Sequence, residues 1–150
     1  MAFSWTGLIM MLLIMLPSIA FALLFPPKNM PEKPGRPRMV FVILERVGQA
    51  GCVILSMFTE LPIALSAWSA LCLICLIVYY SLWIRYIAKG KDFKWLFAPF
   101  LGIPVPMAIF PVAAFGFAAV WGQSIWLGAA SAVLATGHIA VSLNSYKSVG

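Results

Sequence analysis

The chain has 150 residues, of which 63% are hydrophobic and only 9% charged, and its mean hydropathy is +1.02. A soluble domain of this length cannot bury so much apolar surface, so composition excludes an ordinary globular protein and points to a bilayer. The net charge of +6 does not indicate a nucleic-acid partner, because the basic residues sit in short connections beside apolar stretches, the pattern that orients membrane proteins.

A membrane-crossing helix uses about 20 residues, so the length holds five with short connections. The expected architecture is an all-α integral membrane protein, a bundle of five transmembrane helices forming one polytopic domain over residues 1–150. Segment one, Phe3 to Phe25, carries no charge. No basic stretch precedes it and its apolar run is long enough to cross, so it is expected to stay in place and not be cleaved as a leader. The connection Pro26 to Arg38, PPKNMPEKPGRPR, is rich in proline and cannot continue a helix. Segment two runs from Met39 to Phe58, followed by the turn Thr59 to Pro62. Segment three runs from Ile63 to Ile84, and the connection after it holds Arg85, Lys89, Lys91 and Lys94. Segment four, Trp95 to Val120, contains Pro99, Gly102, Pro104, Pro106 and Pro111. Each interior proline removes a backbone donor and crowds the carbonyl four residues earlier, so this helix is expected to break near Gly102 to Pro106. Segment five runs from Ser124 to Leu143 and offers Gly128, Ala132, Ala135 and Thr136 as a small-residue packing face.

Orientation follows from charge. Lys28, Lys33, Arg36 and Arg38, the four basic residues after segment three, and Lys147 all fall on one side, against none on the other. The N-terminus is therefore expected outside and the C-terminus in the cytoplasm, in a multi-pass protein of a plasma or inner membrane. Trp5, Trp68, Trp121 and Trp126 fall near the outer boundary and Trp83 and Trp95 near the inner one, where amphipathic rings settle.

Arg46, the tenth basic residue, stands beside Glu45 inside segment two. At 1.5 Å per residue, Glu45 lies roughly 9 Å inside the cytoplasmic edge, with Gln49 one turn deeper. His138, Tyr79, Tyr80 and the Gly102 to Pro104 break fall at a similar depth. Glu45, Gln49, Cys52 and Ser56 recur at four, three and four residues and so form one stripe facing the bundle interior. An ionisable side chain at such depth is normally paired or exposed to a polar cavity. One reading is structural: Glu45 pairs with Arg46 or Arg38, or Arg46 snorkels to the surface. The other places Glu45, Arg46, Gln49, Tyr79, Tyr80 and His138 around one cytoplasm-facing pocket capped by Gly102 and Pro104.

Cys72 and Cys75 form a C-x-x-C in segment three, with Cys52 near the same depth. Cysteine is often a small buried apolar residue, and no neighbouring acid, His or helix N-terminus activates these thiols, so packing is the expected role and no metal site is assigned. The segment LERVGQAG resembles a stretch of the disulfide-bond-forming quinone reductases, which carry cysteine pairs near the outer surface; here the cysteines fall within the hydrocarbon. Size, five spans and orientation are similar in plan to the tryptophan-rich sensory proteins, but PPKNMPEKPGRPR lacks their tryptophan. The chain is assigned to neither family. Phosphate-binding, dinucleotide-binding, metalloprotease and serine-hydrolase motifs are absent from the sequence, and no cofactor is expected.

The expected function is binding or transport of a small, mainly apolar or amphipathic molecule, with Arg46 or His138 holding its polar end. Two alternatives stand beside it. One is a membrane enzyme acting on a lipid or quinone, with His138 or Glu45 as acid/base and Tyr79 or Tyr80 as proton donor. The other is an accessory subunit without catalysis. The expected partners are the lipid bilayer and this ligand, with a second copy or a membrane partner on the small-residue face.

Overall fold

The computed structural model describes residues 1–33 and 35–149. The architecture is all-helical, with α1 Trp5–Leu24, α2 Met39–Ser56, α3 Ala67–Ala88, a 3-10 turn Phe93–Leu96, α4 Pro106–Trp121 and α5 Ile125–Val149. Helices α1, α2, α3 and α5 are each long and apolar enough to cross a membrane, which suggests a multi-pass membrane protein. Their outer faces fit that reading: Leu12, Leu16, Ile19 and Leu23 on α1 are each more than half exposed, as lipid-covered positions would be.

Local chemistry explains most boundaries. Ser4 caps α1, its hydroxyl accepting from the Gly7 N–H, and Ser66 with Ser69 forms a capping box that starts α3 at Ala67, four residues later than hydropathy alone places it. Segment four is helical only beyond the expected break: after the 3-10 turn ends at Leu96, residues 97–105 are irregular where a helix was expected. Leu101 and Gly102 have φ of 51° and 77°, Val105 has φ of 42°, and α4 begins with Pro106 in its first turn. Proline fits a first turn because its missing N–H would be unpaired there anyway. The left-handed Val105, β-branched and almost fully buried, is a strained entry held by its packing. What remains of segment four is a helix of 16 residues, about 24 Å long. Helix α5 continues to Val149, six residues beyond Leu143.

Helix α4 packs most extensively against α3 and α5, α2 pairs with α5, and α1 lies more lightly against α2, α3 and α4. The core is buried between them, with Ile14, Cys52, Cys72, Phe115, Ala118 and Leu127 at its centre. The α2–α5 seam depends on glycine. A Cβ on Gly48 would strike the Leu134 backbone, and one on Gly137 would strike the backbone of Glu45 and Phe41. The seam therefore uses Ala130, Leu134 and Gly137, facing Gly51, Gly48 and Glu45. This corrects half of the expected packing face of segment five: Gly128 and Ala135 are half-buried, Ala135 against the core, while Ala132 and Thr136 are exposed. Segment five carries two small-residue stripes, and α2 selects the one that matches its own glycines.

Both basic connections and the end of α5 meet at one end of the bundle. The Lys28 N–H donates to the Lys91 carbonyl at 2.7 Å, and the Phe93 N–H donates to the Lys28 carbonyl at 2.9 Å. Arg38 and Lys147 line one cleft there, and Lys94, Trp95 and Tyr146 line another. At the opposite end the Ser4 N–H donates to the Met57 carbonyl at 2.7 Å and the Leu61 N–H donates to the Thr6 hydroxyl at 3.0 Å.

Candidate functional site

The backbone contact at Gly48 and Gly137 brings two side chains from different helices into bonding range. Glu45 on α2 and His138 on α5 meet with Oε1 2.6 Å from Nδ1. His138 is 33% and Glu45 20% exposed, so the pair is neither sealed in the core nor loose on the surface. Charge-assisted hydrogen bonds are short, and a distance at the low end of their range marks a committed contact.

The pair forms one wall of a cavity of about 120 Å³. Ser18 of α1, Gln49 of α2 and Tyr79 of α3 supply its other polar groups, while Pro111 and Phe115 of α4 and Leu134 of α5 supply apolar wall. The Ser18 hydroxyl donates to the Met15 carbonyl at 2.9 Å, which leaves its oxygen lone pairs as acceptors. All five helices contribute to this one space. Lys and Arg are absent from its lining among the described residues.

Of the residues singled out from sequence, Glu45, Gln49, Tyr79 and His138 are brought together here. Arg46, Tyr80, Gly102 and Pro104 are not. Arg46 is exposed, because successive residues on a helix point about 100° apart and Glu45 is the one turned inward. The expected Glu45 partners, Arg46 and Arg38, are thus replaced by His138. Gly102 and Pro104 are exposed on the irregular segment before α4, at least a full turn from Pro111. Tyr80 has another task. Pro17 has no N–H to give the Leu13 carbonyl four residues earlier, and the Tyr80 hydroxyl donates to that carbonyl at 2.8 Å.

Two cavity features were readable but unused in the sequence. Ser18 is the one hydroxyl-bearing residue of α1 beyond its first turn, and it follows directly on a proline. Pro111, counted only as a helix breaker, stands inside α4 and lines the cavity.

Arg85 and Cys72, two further polar groups in the helices, are spent on structure. Arg85 Nη2 donates to the Ala98 carbonyl at 2.9 Å and Nη1 to the Pro99 carbonyl at 3.2 Å, with its guanidinium 5.3 Å from the Trp95 ring and 5.6 Å from the Phe100 ring. The Cys72 thiol donates to the Ala114 carbonyl at 3.4 Å and lies 3.7 Å from Met10 Sδ; Cys52 and Cys75 are buried in the same core. Outside the helices, Asp92 accepts from Asn29 Nδ2 and from the Lys94 N–H, both at 3.1 Å. The hydrogen bond from Asn29, then that from Lys94, holds its carboxyl below the ordinary value.

Comparison of the chain with family models, curated proteins and solved structures gave no match.

Proposed function

We propose that this protein binds or carries a small, mainly apolar molecule in the cavity between its helices, with the Glu45–His138 pair holding the polar end. In this reading all five segments cross the membrane, the fourth as the irregular stretch plus α4. The basic end faces the cytoplasm, which puts the cavity in the cytoplasmic half. The observation that carries the proposal is the convergence of Ser18, Glu45, Gln49, Tyr79 and His138, from four helices, on a space otherwise walled by apolar side chains. Ligand sites have this composition, a mostly apolar surface with a few convergent polar groups. Polar side chains inside a membrane bundle are costly, so their collection around one space favours a site over scattered packing. The volume sets a limit: about 120 Å³ is close to the ~150 Å³ of an engineered cavity that binds benzene. The site therefore takes a ring-sized molecule or one end of a longer one.

A second reading, an enzyme acting on a lipid or quinone, draws on the same carboxylate–imidazole contact, since a carboxylate that orients an imidazole is a common general-base arrangement. It requires turnover, and binding does not.

The test is native mass spectrometry of the protein purified in mild detergent, comparing wild type with Ser18→Leu, which fills the cavity. Wild type is expected to retain a small organic adduct, or to be stabilised against heat by a total membrane extract, and Ser18→Leu to show neither. A folded Ser18→Leu protein that behaves like wild type, or a wild type with neither adduct nor stabilisation, overturns the proposal.

A further inference from the structure

The chemistry of the polar end can be taken further, on the premise that the cavity is a ligand site. His138 commits Nδ1 to Glu45, so Nε2 is the ring nitrogen left over, and it makes no protein hydrogen bond among the described residues. A carboxylate on one nitrogen fixes how the imidazole is oriented and which nitrogen is free to meet a ligand. The contact admits two protonation states. With a neutral imidazole whose Nδ1–H is donated to Glu45, Nε2 is an acceptor; with an imidazolium, Nε2–H is a donor.

The other cavity groups carry the same duality. The Tyr79 hydroxyl both donates and accepts, the Gln49 amide has both functions, and the Ser18 oxygen accepts. A carboxylate or phosphate head only accepts. It would approach the Glu45 carboxylate, and no Lys or Arg lines the cavity to offset that. An ammonium head only donates, so Nε2 serves it in the neutral state alone, and an imidazolium would repel it. A carbonyl head only accepts and is served in one of the two states alone. Of these heads only a hydroxyl meets Nε2 in both, donating to the lone pair or accepting from the N–H. We infer that the cavity takes the hydroxyl end of an uncharged, largely apolar molecule, an alcohol or a phenol, with its oxygen on His138 Nε2. Tyr79 and Ser18 take the hydroxyl's remaining hydrogen-bonding capacity, and Phe115, Val112 and Ile14 receive the apolar body.

The experiment uses four ring-sized probes that differ in the head: benzene, phenol, benzoate and benzylamine. Each is titrated into purified full-length protein, with binding read calorimetrically and by the rise in melting temperature, and partition into detergent measured separately. Phenol is expected to bind about five- to tenfold tighter than benzene, the return on one well-placed hydrogen bond, and benzoate weaker than benzene. His138→Phe, which keeps a ring and removes both nitrogens, should abolish the preference for phenol over benzene. The wild-type series decides the matter even if that variant fails to fold. Benzene and phenol binding equally well would overturn the hydroxyl assignment while leaving the cavity as an apolar site. Benzoate or benzylamine binding best would overturn it in favour of an anionic or cationic head. Failure of all four to bind would count against the cavity itself.

Discussion

Two places in this bundle hold an ionisable side chain against apolar helices, and they dispose of it in opposite ways. At the corner between α3 and the irregular segment, Arg85 gives both terminal nitrogens to backbone carbonyls at Ala98 and Pro99 and lies against Trp95 and Phe100. Backbone that has left its helix needs partners when no water is at hand, and a forked guanidinium serves two carbonyls at once. At the α2–α5 seam, Glu45 and His138 take one hydrogen bond from each other and keep spare capacity toward a cavity. Arg85 keeps a buried Nε without a partner among the described residues but does not line that cavity, so its two donated bonds serve the corner as scaffold. The spare capacity of Glu45 and His138 instead opens on a space that can hold a ligand. The contrast separates Arg85 from the candidate site although both lie within long apolar helices.

The largest effect should come from the glycines that make the seam possible. Gly48→Val and Gly137→Val each push a side chain into the backbone of the opposite helix, which has little room to yield. We expect losses of about 3 kcal/mol, the upper end for overpacking, read as a fall in melting temperature. Gly116→Ala, with only a Ser131 hydroxyl at 3.8 Å, should be near neutral. Equal effects at all three positions would break the claim that the seam is a special contact.

Arg85→Met should come next, at about 2 kcal/mol, because it strands two carbonyls. Arg85→Lys should recover only part of this, since an ammonium lacks the planar fork. Neither variant should alter phenol binding, whereas a loss of binding without a loss of stability would blur the contrast with the seam. The Glu45–His138 pair should give the reverse result. Glu45→Leu or His138→Leu alone leaves one polar partner stranded at a half-buried position, costing about 1 to 2 kcal/mol, between the exposed and fully buried limits. The double Leu variant should regain most of that stability and lose the preference for phenol.

These expectations show what the sequence could and could not convey. Periodicity, prolines and capping residues specify the helices and the break before α4, because those signals act within a few residues. The polar stripe of α2 was readable for the same reason, since Glu45, Gln49, Cys52 and Ser56 share a face wherever the helix lies. The partner of Glu45 was not. Depth along a helix can be counted, but rotation about its axis and the identity of its neighbour depend on which glycines meet across the seam. Equal depth therefore grouped Tyr80, Gly102 and Pro104 with the cavity, although Tyr80 faces the Leu13 carbonyl and the other two are exposed.

Tyr80 offers a test of scaffold chemistry with its own internal control. Tyr80→Phe removes the donor that reaches Leu13 and should cost about 1 kcal/mol. In a Pro17→Ala background the helix supplies its own N–H to that carbonyl, so the same substitution should become nearly silent. A double-mutant cycle in the thermal stability of the four proteins measures this coupling. Additive effects would mean that Tyr80 matters for some reason other than the gap left by the proline.

The smallest effect belongs to Asp92, which fastens the Arg85 corner from outside the helices. Its carboxylate accepts from Asn29 and from the Lys94 N–H, so it ties the α1–α2 connection to the 3-10 turn that leads into the irregular segment. Those bonds favour the ionised form and hold the carboxyl below its ordinary value of 3.8. Because the folded-state value is the lower one, the contribution is present at pH above the ordinary value and is lost as the pH falls through the lowered one. Asp92→Asn should therefore lower the melting temperature slightly at neutral pH and cease to differ from wild type in strong acid, with the gap closing below about pH 4. These bonds lie at the surface, so the whole effect should be small and should shrink further in high salt. A gap that is unchanged by acid would mean that Asp92 acts through its shape and not its charge. A large one would make the corner depend on this outer tie as much as on Arg85.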